Sequence, residues 1–336
     1  MSISSNNEYG KLKVIAVGRL EGANWPKDDL HFDTHWKYPV HTKTTFPYSI
    51  PEELIETVSG GIYNLIDRLK VDHNVQVIRP DQRNWKTAMA THDWVCTGMN
   101  TLNMRETLVT IGNKVIECPH VYRSKHYESI SYESIKRYVT ANKGAYIVAP
   151  KSNLEHGSMW NKENVLSVRN NDPLFVGTDI LKFGKLILYF TSCKSNRAGA
   201  EWLQYVLGDE YKVEVTNRFY FYESLCNNIM PLDGNTILCN ADRLSGESIP
   251  AVFKDYKKIW IDTLKDKKAY KHPLGSKYFN MQVLNIDERF KMVNSDQPEL
   301  CELLYSHGFD IVETNLLHTQ TFAYGYHSLI CDLVRE

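Results

Sequence analysis

One pattern constrains this chain more than any other. The order strand, turn, strand, helix, strand returns about four and a half times, at spacings of roughly 50 to 70 residues. The first round starts within residues 11–19, where Leu12, Val14, Ile15 and Val17 read as a buried strand ending at Gly18. A helix opens at Pro51-Glu-Glu and carries Ile62, Leu65, Ile66 and Leu69 at i, i+3, i+4, i+7, a core face. A strand over 74–79 follows. The second round has strands at 108–111 and 115–118 about the hairpin turn Gly112-Asn113. Its helix, 129–139, turns Ile130, Ser134, Ile135 and Tyr138 inward, and its last strand, 146–149, is halted by Pro150. The third has strands at 179–182 and 186–190 around Phe183-Gly184, a helix over 198–207 burying Trp202, Tyr205 and Val206, and a strand at 211–215. The fourth places 228–230 and 236–239 around Asp233-Gly234, then a short helix at 249–253 and a strand at 258–262. The fifth has strands at 279–287 and 290–293, a helix at 298–306 and a strand at 310–314. Residues 20–48 and 80–103 lack a period and read as loops. No low-complexity linker separates the rounds. The expectation is one α/β domain over 1–336, with pseudo-symmetric modules around a centre.

Composition narrows the function classes. The chain has 336 residues, 43% hydrophobic and 24% charged, with a formal net charge of −1. That balance offers nothing to nucleic acid or to an anionic membrane surface. No apolar run reaches the roughly 18 residues of a membrane helix, and the first residues do not read as a signal peptide. Seven cysteines are scattered without a Cys-x-x-Cys spacing. They read as reduced thiols of a cytoplasmic protein. His31, His35 and His41 fit no standard zinc spacing. No metal or cofactor is expected.

The stretch Ala323-Tyr-Gly-Tyr-His-Ser-Leu-Ile-Cys-Asp332 carries the functional reading. With it go Asn7-Glu8-Tyr9, Val17-Gly18-Arg19, Arg79-Pro80-Asp81, Met104-Arg105-Glu106 and Ile111-Gly112-Asn113. Tyr122-Arg123-Ser124 with Glu128, Ala149-Pro150-Lys151, Glu201-Trp202-Leu203, Asn240-Ala-Asp-Arg243 and Asp287-Glu288 complete the series. Each is weak alone. In this order and spacing, the series resembles the arginine:glycine and inosamine-phosphate amidinotransferases nearly end to end. The resemblance implies a pentein-type α/β propeller of five ββαβ modules around a central site, which agrees with the pseudo-symmetric modules read from the repeat.

The family moves an amidino group from arginine to an amine. A cysteine thiolate attacks the guanidinium carbon, a histidine moves the proton and an acid holds the system. A thiolate needs a cationic neighbour, and base and nucleophile must lie within hydrogen-bond reach. This sequence departs at all three places. Ser328 stands at the nucleophile's position, behind His327. The family's Phe-Asp-Ala-Ala-Asp block becomes Phe175-Val-Gly-Thr-Asp179, which keeps only the last acid. Its His-x-Asp block falls on Tyr222-Glu223-Ser224, and no histidine stands between His156 and His272. The substrate-gripping residues are better kept. The resemblance implies that Arg243 clamps a carboxylate, with Ser276 beside it, and that Glu106 holds an amino group.

Two readings follow. One is an enzyme acting on an amino-acid-like or guanidino molecule through an altered centre of Ser328, Tyr222, Asp179 and His327. The other is a pseudoenzyme that keeps the cradle for binding. Ordinary amidino transfer would need another nucleophile, Cys331 or Cys226. The expected partners are the small molecule and, in a homodimer, a second copy of the chain.

Overall fold

Five three-stranded sheets repeat one plan. In each, a first strand runs antiparallel to a second, and the second runs parallel to a third. In the first sheet Ile330–Arg335 pairs antiparallel with Leu12–Val17, which pairs in parallel with Gln76–Ile78. The others are Leu108–Ile111, Lys114–Glu117 and Ala145–Val148; Ile180–Phe183, Leu186–Phe190 and Lys212–Thr216; Ile229–Pro231, Thr236–Asn240 and Lys257–Ile261; and Leu284–Asn285, Phe290–Asn294 and Asp310–Thr314. This is the five-module ββαβ plan. The half module expected at the start of the chain is completed by the last strand, with Val17 paired to Ile330 and Leu12 to Arg335. The computed structural model describes residues 1–29, 32, 50–154, 160–161, 164–265 and 276–336. Most of the loop read at 20–48, with His31, His35 and His41, lies outside them.

A parallel pair needs a crossover. Helices Glu52–Val71, Glu133–Ala141, Arg197–Leu207 and Pro298–Ser306 supply four of the five. The fourth sheet is crossed by the short 3₁₀ turns Gly246–Ser248 and Ala251–Phe253. Ile62, Leu65, Ile66 and Leu69 are buried as their spacing requires.

Four details differ from the sequence reading. The strand read at 279–287 is the 3₁₀ turn Lys277–Met281 followed by the two-residue strand Leu284–Asn285. The 80–103 loop contains a hairpin, Ala88–Ala90 with Val95–Thr97. Ile130 is exposed, because Glu128–Ser131 is a separate 3₁₀ turn and the helix phase restarts at Glu133. Glu128 holds that turn inward, accepting from Thr107 Oγ1 at 2.9 Å and Lys125 Nζ at 2.9 Å. Tyr205 is 85% exposed. The buried stripe of that helix is Gly199, Ala200, Leu203 and Leu207, since small residues let it lie close against Tyr189 and Leu174.

Each module's first strand is preceded by a short helical turn: Met104–Thr107, Gly177–Asp179, Leu225–Asn227, Lys277–Met281 and Tyr326–Leu329. Neighbouring turns touch, so the five close a ring. Two glycines permit the closure. A Cβ on Gly177 would lie 2.3 Å from Arg105 O, and one on Gly325 would lie 2.4 Å from Phe279 O. The position two residues before each first strand is polar and buried: Glu106, Thr178, Asn227, Gln282 and Ser328.

Arg105 joins the chain's ends behind this ring. Its guanidinium is fully buried and pairs with Asp332, and with Glu8 Oε1 at 2.5 Å. Asp332 Oδ2 also accepts from Lys182 Nζ at 2.7 Å, Ser5 Oγ at 2.6 Å and Arg335 Nε at 2.9 Å. Burial alone would raise the Glu8 carboxyl, but Arg105 and Lys182 hold it down to about 2.

Removing one partner of a buried pair strands a charge, at a cost of about 3–5 kcal/mol. Arg105→Met should lower the unfolding free energy by that much, read as a lower urea midpoint at unchanged m-value. Glu8→Gln in the same background should restore part of the loss. A cost under about 1 kcal/mol for Arg105→Met would contradict this account.

Candidate functional site

Ser328 lies in the last of the five turns, 3% exposed. Its Oγ accepts from Gly325 N at 2.8 Å and donates to Gly325 O at 3.1 Å. Its N–H donates to Gln282 Oε1 at 2.9 Å, and Gln282 Nε2 donates to Asn227 Oδ1 at 2.8 Å. The hydroxyl is thus held by its own turn, and among the described residues no histidine hydrogen-bonds it. His327 is next in sequence, yet its Nε2 accepts from Arg105 Nη2 at 3.1 Å and lies 3.5 Å from Glu8. Burial and the Arg105 charge both lower its pKa. His327 is therefore a neutral acceptor in the buried charge network.

The remaining residues singled out from sequence divide into two walls. On one, Arg243 Nη2 donates to Glu223 Oε1 at 3.2 Å, and Ser276 Oγ donates to the same oxygen at 3.1 Å. The Arg243 guanidinium lies over the Tyr220 ring at 3.8 Å and the Tyr278 ring at 4.8 Å. Arg243 and Ser276 are brought together, with Glu223 between them. Tyr222 packs its ring against Phe221 and Tyr220 and is 37% exposed.

On the other wall, Glu106 Oε1 accepts from Lys194 Nζ at 2.7 Å, and Oε2 lies 3.4 Å from Lys125 Nζ. Burial pushes the Glu106 carboxyl up, but the two lysines outweigh it and leave it well below the usual range. His120 also faces this carboxylate. Its Nδ1 accepts from Tyr122 N at 2.9 Å, so the neutral ring carries its proton on Nε2, 3.6 Å from Glu106. Burial lowers its pKa to about 4.

Asp179 joins the walls. It accepts from Ser192 Oγ at 2.6 Å, Ser195 Oγ at 2.7 Å and Leu225 N at 3.1 Å. It fixes the loop that bears Lys194 and ties the third module's turn to the fourth's. Burial raises its carboxyl to about 6 despite those donors. Neither alternative thiol is ready to ionise. Cys331 is fully buried beside Thr110 and is pushed up to about 11, and burial raises Cys226 well above the ordinary thiol value. The described residues hold no cluster of three or more groups suited to a metal. None of their helices is long and apolar enough to cross a membrane.

Sequence reading missed Lys194, Glu223 as a bridge, and Gln282. A lone lysine between two serines carries no pattern. Gln282 falls inside the strand read at 279–287, so its place two residues before a module's first strand emerges only from the structure.

A ring of five modules with a polar centre defines the pentein-type propeller. No protein-family model matches the chain. Inosamine-phosphate amidinotransferase 1 of Streptomyces glaucescens is 28% identical, over 99% of this chain and 97% of that protein. Glycine amidinotransferase of Gallus gallus is 25% identical, over 99% and 83%. The solved inosamine-phosphate amidinotransferase of Streptomyces griseus superposes with a TM-score of 0.91 at 26% identity, covering 99% of this chain and 97% of that one. Along almost its whole length, the chain is a relative of the amidinotransferases in sequence and in fold.

His120 makes stability depend on pH. The folded ring stays neutral down to about 4, whereas the unfolded one takes up a proton below about 6.5. Its contribution is present above pH 6.5 and is lost as pH falls toward 4. Asp179, raised when folded, acts in the opposite sense over about 4 to 6, so a difference measurement is needed. The stability of wild type minus His120→Asn should rise between pH 4 and 6.5 and stay flat above 7, in chemical unfolding at each pH. A flat difference throughout would contradict this.

Proposed function

We propose that the protein binds an amino-acid-like or guanidino small molecule at the centre of its five-turn ring, through a non-standard site. Any transfer or hydrolysis there runs without a thiolate. The relatives' names support guanidino-group chemistry as the class. Arg243, over two aromatic rings and beside Ser276, supports a carboxylate at one wall. The carrying observation is Ser328 at the nucleophile's place, its Oγ shared between the N–H and the carbonyl of Gly325. A serine without a base is a poor nucleophile toward a resonance-stabilised guanidinium, and general-base catalysis is typically worth about 10²–10⁴-fold. The seven cysteines are buried thiols, which suits the reducing cytoplasm that this reading assumes.

The same serine favours a second reading, a pseudoenzyme that binds without turnover, because its hydroxyl already serves its own turn. Ser328→Ala separates the two. Loss of a measurable turnover supports the altered enzyme, and a turnover left unchanged removes Ser328 from the chemistry.

Incubation with arginine and amine acceptors, followed by mass spectrometry, should give no ornithine even at high protein concentration. Ornithine would show ordinary amidino transfer from arginine, which this reading excludes. A thermal-shift screen of amino acids and guanidino compounds should find a stabilising guest, worth about 2.7 kcal/mol at 100 times its Kd. Arg243→Ala should abolish that shift. A shift of equal size in the variant would remove Arg243 from the site.

A further inference from the structure

Glu106 is the one carboxylate among the five ring positions, so it is where a guest's ammonium would go. That place is taken. Lys194 Nζ sits on Oε1 at 2.7 Å, while Lys125 and His120 face Oε2. The Glu106 side chain is 8% exposed and that of Lys194 is 21% exposed. The group that meets a guest at this wall is therefore a cation leaning on a buried carboxylate.

The lysine is not a loose surface chain. Its N–H donates to Ser192 Oγ at 3.0 Å, and its ammonium lies 5.7 Å from the Tyr122 ring centre. Ser192 and Ser195, on either side, are tied to Asp179. Cys193 N, next to it, donates to Phe221 O at 3.1 Å, on the segment that carries Glu223. The Arg243 wall is built alike, with a cation leaning on a more buried carboxylate, Glu223. Both walls thus present positive charge. At the Glu106 wall a guest ammonium must either displace Lys194 from its carboxylate or stand beside it as a like charge.

We propose that Lys194 sets the ligand class of this centre: a carboxylate-bearing small molecule with no ammonium beside the carboxylate. The inference rests on the reading that a guest enters the ring next to Arg243.

Two probes differ only in the group at issue, L-arginine and 5-guanidinopentanoate, which is arginine without its α-amino group. Calorimetry on the full chain should show 5-guanidinopentanoate binding at least tenfold tighter than arginine. In Lys194→Met, which keeps the stem and loses the charge, the preference should shrink at least tenfold; Lys194→Gln provides a second variant with the charge removed. Arginine binding wild type equally or more tightly would overturn the inference and leave the guest reading standing. A preference unchanged in both variants would also overturn it. Binding of neither probe to wild type or variants would end the guest reading, and the inference with it.

Discussion

The ring is held shut by charge taken out of water. Asp332 lies in the last strand, Glu8 near the start of the chain, Arg105 in the second module's turn and Lys182 in the third module's first strand. All four are buried and in contact. A buried ion costs several kcal/mol of desolvation unless its partners are well placed. The network therefore favours one arrangement of these four segments over others. The first sheet, whose strands come from opposite ends of the chain, sits next to it. His327 belongs to this network, its Nε2 facing Arg105 and Glu8 rather than Ser328.

The centre in front of the network follows the same rule of internal pairing. Each charge on its walls has a partner from the chain: Glu106 with Lys194 and Lys125, and Arg243 with Glu223. Ser328, Gln282 and Asn227 are joined by hydrogen bonds around the ring. A site built for thiolate chemistry needs the reverse, a nucleophile and base left poised for the substrate. Here the charges pair with one another, and a guest must compete for them.

Much of this could be read from the residues. The period-3.6 face of Glu52–Val71 and the helix Pro298–Ser306 stand where the pattern puts them. So does the turn at Gly112, whose φ of +60° favours glycine. These signals are local. What escaped was set by distant contacts. Nothing near Tyr205 says that Gly199 and Ala200 would decide which face packs. Ile130 lost its helical phase to Glu128, whose partners include Thr107 some twenty residues earlier (|i−j| = 21). The pairing of Lys194 with Glu106 spans |i−j| = 88, and no spacing rule reaches that far. For the site, type and order of residues located Arg243 and Ser276, while their shared partner Glu223 needed the fold.

The central claim is that the ring's nucleophile position has no machinery for making a thiolate. Its most direct test is Ser328→Cys, with the alkylation rate of the introduced thiol followed against pH. The account expects a midpoint at or above the ordinary value of about 8.5, because burial opposes ionisation and, among the described residues, no histidine is hydrogen-bonded there. A midpoint below about 7 would mean that an activating cation stands beside residue 328, and the account would be wrong.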